Sequence, residues 1–293
     1  MNLIDNRRAA AQQVGFLLIL ATIIILYSSW QATVIPKQNE GVEARHYQQV
    51  KLDIEEVRNT ILELGGRNGG TGFGESVAVE LGTTYPVRVL FVNPPPVSGS
   101  LRTIDPATGP DLILGGVLEN KAPSICRSNT SKYFEYQPNY NEYDGRTIFY
   151  DNSVLYSYDE ADTEDGIIDD PVFLSGQTFL IYLESTDTYV ITIVRVTGTF
   201  SEQSTLPTGV DIQTDAWNSS TSKIRLGTNE RATINYTSQL SVAIWNNSNS
   251  SDTGLLPRDD DLNYTISRNN EFINLTLEDA DIRIHCGVVS LNE

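Results

Sequence analysis

The chain has 293 residues and a formal net charge of −18, with 38 acidic residues against 20 lysines and arginines. Acidic positions recur from Asp5 to Glu293, which favours a negative surface spread over the whole protein above one cation-binding patch. Such a surface keeps a protein soluble when concentrated salt screens its repulsion, so we expect adaptation to very high salt. The charge also excludes nucleic acid as an expected partner, because no basic patch is available to neutralise phosphates.

An uncharged apolar run, residues 14–35, comes first among the structural elements. As a helix it reaches roughly 33 Å, enough to cross a hydrocarbon core about 30 Å thick, so we expect membrane lipid to be its partner. Arg7 and Arg8 precede the run and the next basic residue is Lys37, so the positive-inside rule predicts a cytoplasmic N-terminus, residues 1–13, and an extracellular remainder. A cleaved signal peptide is the alternative, but its apolar region is shorter. We therefore expect a single-pass anchor in the cell membrane.

The outer end of the run carries two aromatic residues and then a proline. Tyr27 and Trp30 are placed where amphipathic rings prefer the lipid headgroups. Pro36 lacks a backbone donor and disfavours a helical conformation at Ile35, so it predicts a kink or break at the outer surface.

The N-terminal layout is a pair of arginines, small residues, glutamines and a long apolar helix. It resembles the N-terminus of archaeal type IV pilin-like proteins. In that family a peptidase cuts on the cytoplasmic side, and the released apolar helix packs in a filament. The resemblance implies filament proteins as partners and a processing region at Ala9, Ala10, Ala11, Gln12 and Gln13. A plain uncleaved anchor is the alternative.

Residues 36–66 predict a membrane-proximal amphipathic helix. Its apolar side chains recur at spacings of three and four, at Tyr47, Val50, Ile54, Val57, Ile61 and Leu64. This stripe either covers the protein's own β core or pairs with a neighbour as a coiled coil. The repeat is too short for a coiled coil, which favours packing within the chain. Gly65 and Gly66 supply a helix stop.

A glycine-rich joint is predicted at residues 67–75, between this helix and the β region. The string resembles a phosphate-binding loop only in its glycines. It follows a helix rather than a strand and lacks the Gly-Lys-Ser/Thr ending, so a nucleotide site is not expected.

Residues 76–293 consist of short segments rich in Val, Ile, Tyr and Thr, separated by Gly, Pro, Asn, Asp and Ser clusters. This pattern predicts an all-β ectodomain of the antiparallel sandwich type. The polar string at 201–208 is a possible boundary, which leaves open one sandwich or two, at 76–200 and 206–293.

Two cysteines, Cys126 and Cys286, lie in the expected exterior, where a single disulfide is the simplest outcome and two free thiols are the alternative. A metal site is not expected, because His285 adjoins Cys286, only His46 remains as a second imidazole, and no CxxC spacing occurs. We expect no cofactor.

Two kinds of surface modification or ligand are suggested by local composition. Sequons, which predict glycosylation or merely reflect polar loops, occur at Asn129, Asn218, Asn235, Asn246, Asn249, Asn263 and Asn274. The densest acidic run, residues 159–170, is either a solvated loop or a weak calcium site. Its candidate ligands are Asp162, Glu164, Asp165, Asp169 and Asp170. The EF-hand pattern fails there, so the solvated loop is favoured.

Two further strings, YPVRVLFVNPPPVSGSLRTI at 85–104 and YQPNYNEYDGRTIFYDNSVLY at 136–156, resemble uncharacterised exported surface proteins of halophilic archaea. The likeness spans nearly all of residues 14–200. It implies a haloarchaeal origin, an envelope location and a β-rich exterior. The tyrosines of YQPNYNEY are expected in the core rather than in an exposed contact patch.

The sequence contains no nucleophile elbow, no H-E-x-x-H and no phosphate loop. We therefore expect no enzyme, although paired carboxylates leave an extracellular hydrolase as a remote alternative. The leading interpretation is a membrane-anchored envelope protein with a structural or binding role, in contact with other envelope proteins. The alternative is a pilin-like filament subunit.

Overall fold

The computed structural model describes residues 3–66, 72–86, 94–105, 112–127, 130–159, 163–164, 167–168, 171–176, 179–219, 223–238, 264–269 and 272–292. Among these residues a long helix, α1 (Leu3–Gly66), leads into a region made mostly of β-strands, which also contains a short helix, α2 (Val117–Lys121). The coarse prediction of an apolar N-terminal helix followed by a β-rich part is therefore confirmed.

The strands are β1 (Gly74–Glu80), β2 (Ser98–Ile104), β3 (Leu112–Gly116), β4 (Tyr133–Asn139), β5 (Thr147–Asp151), β6 (Val154–Tyr158), β7 (Thr163–Glu164), β8 (Ile167–Ile168), β9 (Val172–Gly176), β10 (Leu180–Leu183), β11 (Thr188–Gly198), β12 (Ser201–Ser204), β13 (Pro207–Ser219), β14 (Ile224–Arg225), β15 (Arg231–Tyr236), β16 (Tyr264–Asn269), β17 (Phe272–Glu278) and β18 (Asp281–Asn292).

Three larger sheets and a two-stranded ribbon organise these strands. Sheet 1 has the order β1-β13-β18-β11-β10, with β14 also paired to β18. Sheet 2 has the order β12-β2-β4-β5-β6-β9, sheet 3 the order β16-β17-β15-β3, and β7 pairs with β8. The sequence predicted antiparallel pairing throughout, but one pair of the described strands differs. Strands β11 and β18 run parallel along their whole shared length, from Thr188 against Asp281 to Gly198 against Leu291.

The segment 201–208, considered above as a boundary, contains β12 of sheet 2 and the first residues of β13 of sheet 1. Strands from either side of it pair in two sheets, β1 with β13 and β11 with β18 in sheet 1, and β3 with β15 in sheet 3. The hydrogen-bonded ladders therefore cross the expected division between residues 76–200 and 206–293.

Helix α1 continues through Pro36 without a break, contrary to the sequence expectation. A proline removes one backbone donor from the ladder, and the turns on both sides keep theirs. Asn39 and Glu43, a few residues after the proline, are buried against the β-rich part of the protein that begins at β1, called the head below. This burial holds the helix on the C-terminal side of Pro36. The helix also includes Gly65 and Gly66, and β1 begins at Gly74, so residues 74 and 75 of the expected joint belong to the strand; residues 67–71 of the joint lie outside the described residues.

The apolar stripe on the second half of α1 packs inside the protein, as favoured. Its six residues are between 0% and 5% exposed and belong to one hydrophobic cluster with side chains of sheets 1 and 2. The helix ends against sheet 1: Thr214 donates to the Leu64 carbonyl oxygen at 3.1 Å. A Cβ on Gly287 would lie 2.1 Å from the Gly65 carbonyl oxygen, so only glycine permits this approach.

A second hydrophobic cluster joins sheets 1, 2 and 3. Strand β11 contributes Ile191 and Ile193 to this cluster and Val194 and Val196 to the helix cluster. Adjacent residues of a strand point to opposite faces. Both faces of β11 are therefore buried, each against a different core. This explains its largely apolar sequence.

Candidate functional site

The first functional feature is the exposed apolar half of α1. Its most apolar stretch is long enough to span a membrane and has none of its residues buried in the protein, unlike the core helix of a soluble domain. Phe16, Leu18, Ile25 and Leu26 are each 64–66% exposed. A contiguous apolar surface of this extent marks an interaction with lipid or with other apolar surfaces.

Several polar side chains on this half are satisfied within the helix. The Thr22 hydroxyl donates to the Leu18 carbonyl oxygen at 2.8 Å, and the Thr33 hydroxyl donates to Ser29 at 2.9 Å. Such bonds to the carbonyl four residues earlier remove the need for water. This part of the helix is thus suited to an apolar environment despite its threonines.

The second feature is a set of buried polar contacts that hold α1 in the head, beginning with Glu43. This side chain is fully buried and accepts backbone N–H bonds from Asn141 at 3.1 Å, Glu142 at 2.8 Å and Tyr143 at 2.6 Å. The Tyr85 hydroxyl also donates to it. Burial, and then the bond to Glu43, raise the pKa of Tyr85 to about 12, so this hydroxyl stays a donor. One carboxylate therefore connects the helix to two loops.

Further along the helix, Asp53 accepts the Glu80 backbone N–H at 3.0 Å, which ties α1 to the end of β1. His46 Nδ1 and the Tyr140 hydroxyl are hydrogen-bonded at 2.7 Å. Burial lowers the pKa of His46 below its ordinary 6.5, which favours the neutral ring. Tyr136 and Tyr140 pack on this side of the core, so the core interpretation of the YQPNYNEY tyrosines holds for them.

The turn between β5 and β6 is the centre of a third set of contacts. Asp151, Asn152 and Ser153 are 0%, 7% and 4% exposed, although turns normally face water. Asn152 and Ser153 have φ values of 43° and 80°, as in the tight hairpin turns in which both central residues have positive φ. Arg58 of α1 donates to the Ser153 carbonyl oxygen at 2.7 Å.

The Asp151 carboxylate extends this turn toward sheet 3. It accepts from the Ser238 hydroxyl at 2.9 Å and from the Tyr236 hydroxyl. The turn thereby joins α1, sheet 2 and the end of β15. Sequence reasoning gave no role to Glu43, Asp53, Arg58 or this turn; the Asp-Asn-Ser string between two apolar runs was the available turn signal.

The Cys126–Cys286 disulfide is present, with a Cα–Cα distance of 5.6 Å and a sequence separation of 160 positions. It ties a short 3-10 turn to β18. His285, next to it, has its pKa lowered below 6.5 by burial and then by Arg283. His46 lies on α1 and His285 on β18, and among the described residues they do not belong to a common metal-binding group.

Within the described ranges, no group of three or more His, Cys, Asp or Glu side chains is placed to hold a metal ion. Of the calcium candidates, Asp162, Asp165, Asp169 and Asp170 lie outside the described residues, and only the backbone of Glu164, in β7, is described. The calcium site and the solvated loop both stay predictions. So does the absence of catalysis.

The sequons that the structure describes all lie on strands. Asn218 is exposed on β13, and Asn235 on β15 stands directly opposite Asn274 on β17, both partly exposed. The others, Asn129, Asn246, Asn249 and Asn263, fall outside the described residues. The candidate processing region, from Ala9 to Gln13, lies in the first turns of α1, where side chains are described only from Gln13 onward.

Comparison with known proteins gives one partial relative. A protein of Archaeoglobus fulgidus, described as uncharacterized, is 30% identical over 99 residues, which are 34% of this chain and 16% of that protein. No family model matches the chain. No solved structure matches it either. The chain is thus similar to a small part of one archaeal protein.

Proposed function

We propose that this chain is a membrane-anchored, extracellular, β-rich envelope protein of a halophilic archaeon, with a structural or binding role at the cell surface. The observation that carries the proposal is α1 itself. One helix has an apolar half that is exposed and a second half that is buried in the β-rich head. Removing the first half as a signal peptide would cut through a continuous helix, which favours a retained anchor.

The length of helix between the apolar run and the buried half also supports a head that lies close to the membrane. Among the described side chains of α1 the first buried ones are Asn39 and Glu43, and Glu43 is eight positions after Ile35, the last residue of the apolar run. Eight helical residues rise about 12 Å. The four hydrogen bonds that Glu43 accepts, called the Glu43 clamp below, prevent free rotation of the head on its anchor. A head held this way presents a fixed face outward, as expected for a structural role.

Three finer features belong to the same proposal. The net charge of −18 supports a salt-rich environment, since dispersed acidic groups repel one another less as salt screens them. A layered, sandwich-type head is supported by the hydrophobic cluster that sheets 1, 2 and 3 share. The Arg7–Arg8 pair before the apolar run supports an inside N-terminus.

The test compares two lysine substitutions at exposed apolar positions of α1. Ile24→Lys places a charge in the apolar half, where it costs about 3 kcal/mol in a membrane. Leu52→Lys changes a residue that is 60% exposed on the docked half. We expect the first variant to lose membrane retention in alkaline carbonate washes, and the second to keep it. External protease should remove the head from whole cells; protection of the head until cells are lysed would refute the orientation.

A filament subunit is the second candidate, favoured by the unbroken helix through Pro36. The same exposed apolar half can pack against neighbouring copies instead of lipid. Mass spectrometry of the mature N-terminus distinguishes the two. A chain that begins within residues 9–13 supports the filament, and an intact Met1 supports the uncleaved anchor.

A further inference from the structure

A small cavity of about 20 Å³ lies beside the Cys126–Cys286 disulfide. This volume suits a single ligand the size of a water molecule. Its lining is mostly apolar, with Ile193 and both cysteines, but it also includes Ser131, Asn152 and Arg195. The cavity therefore sits where the buried β5–β6 turn approaches the paired strands β11 and β18.

Two N–H donors in this lining have no acceptor. Asn152 Nδ2 and Arg195 Nε are buried and make no hydrogen bond within the described part of the chain. Asn152 as a whole is 7% exposed. A buried donor without a partner costs about 1–3 kcal/mol, so two in one cavity indicate a ligand that accepts from both.

The remaining polar side chain does not supply that acceptor. The Ser131 hydroxyl accepts from the Val196 backbone N–H at 3.0 Å and is 3.5 Å from the Lys132 carbonyl oxygen. Its proton and one lone pair have these partners, and neither Asn152 Nδ2 nor Arg195 Nε donates to it within the described residues. The acceptor that the two donors lack must therefore come from outside this set of side chains.

The charge of the lining favours an anion. Arg195 has no carboxylate within ion-pair distance among the residues described. Burial lowers its pKa, and Asp215 only partly opposes this. The Asp215 oxygens accept instead from the hydroxyls of Thr197 at 3.2 Å and Ser290 at 3.1 Å. A negative ligand in the cavity would offset the burial of the guanidinium.

We propose that Asn152 and Arg195 bind a monatomic anion of halide size, chloride in a salt-rich medium, in the cavity beside the disulfide. The ion accepts from Asn152 Nδ2 and Arg195 Nε, and links the β5–β6 turn to strand β11. Sulfate and acetate are too large for about 20 Å³, so the site selects by size as well as charge.

The direct test is crystallography of the full chain grown in sodium bromide, with data collected at the bromine absorption edge. We expect an anomalous peak in the cavity, within hydrogen-bonding reach of both nitrogens. Density without an anomalous signal would assign a water molecule to the cavity and overturn the proposal.

A solution test uses Asn152→Asp, which keeps the side-chain shape and the positive φ that Asp tolerates. The new carboxylate pairs with Arg195 and excludes the anion. The matched control is Asn229→Asp, which adds the same charge at an exposed turn residue with φ 72°.

Chloride is varied against acetate at constant sodium concentration, and unfolding of the full chain is followed. For the wild type and the control, each tenfold rise in chloride above its Kd should raise the folded-to-unfolded ratio about tenfold. The Asn152→Asp variant should lose this dependence. An equal chloride dependence in all three proteins would refute the site, and the bromide experiment decides independently if the variant does not fold.

Discussion

Replacing Glu43 with glutamine tests whether a single carboxylate fixes the helix in the head. The substitution keeps the size of the side chain and removes its charge and one of its two acceptor oxygens. Glu43 is fully buried, so water does not take the place of a lost bond. The variant therefore measures the clamp itself.

The magnitude follows from the four donors. One carboxylate oxygen accepts from the N–H groups of Glu142 and Tyr143, and the other from the Asn141 N–H and the Tyr85 hydroxyl. Glutamine keeps one oxygen and turns an NH₂ group toward the other two donors. Hydrogen bonds to a charged group contribute about 1.5–3 kcal/mol each, so the loss of two should lower the free energy of unfolding by roughly 3–6 kcal/mol.

Urea unfolding of the full chain in detergent, at fixed high salt, measures this change, and limited proteolysis at the loop 141–143 reports whether the loop has been released. Glu40→Gln is the matched control, because Glu40 is exposed one turn earlier on the same helix. The control should change stability by less than about 0.5 kcal/mol. Equal stabilities of the two variants would refute the clamp.

Three other perturbations have expected outcomes. The folded-state pKa of His46 is below 6.5, so the stability that the neutral ring contributes is complete above pH 6.5 and is lost as pH falls through the folded-state pKa. His46→Gln should therefore flatten the pH dependence of the unfolding free energy between about pH 7 and pH 5. Reducing the Cys126–Cys286 bond should lower the unfolding free energy by up to about 5 kcal/mol, the loop entropy for 160 residues, seen as a lower urea midpoint. Gly287→Ala should cost about 1–3 kcal/mol, measured as a lower melting temperature, because its Cβ meets the helix-end carbonyl. Gly227→Ala, where the nearest atom is 3.6 Å away, should not.

Local periodicity allowed several elements to be predicted. The stripe from Tyr47 to Leu64 identified both the helix and its buried face, since a helix places residues three and four apart on one side. Most of the segments rich in Val, Ile, Tyr and Thr form strands, because their local composition favours extended backbone. The predicted kink or break at Pro36 was wrong, because the lost backbone hydrogen bond matters less than the buried contacts that follow at Asn39 and Glu43.

The polar clamps were not visible in the sequence. Glu43 is one of 38 acidic residues, and no local pattern separates a carboxylate that accepts three backbone N–H groups from one in solvent. Its partners lie about 100 positions away. Asn152 and Arg195 likewise come together only because the β5–β6 turn is buried against β11.

The sequence by itself determined the properties that depend on neighbouring residues or on composition: an apolar helix, its amphipathic continuation, a β-rich remainder, a strongly acidic surface and a pair of cysteines. The tertiary structure alone decided how distant strands pair, including the parallel β11–β18 ladder that joins the middle of the chain to its end. It also decided which charges are buried. Strand order and burial depend on contacts between residues far apart in the chain, and such contacts leave no periodic signal in either segment.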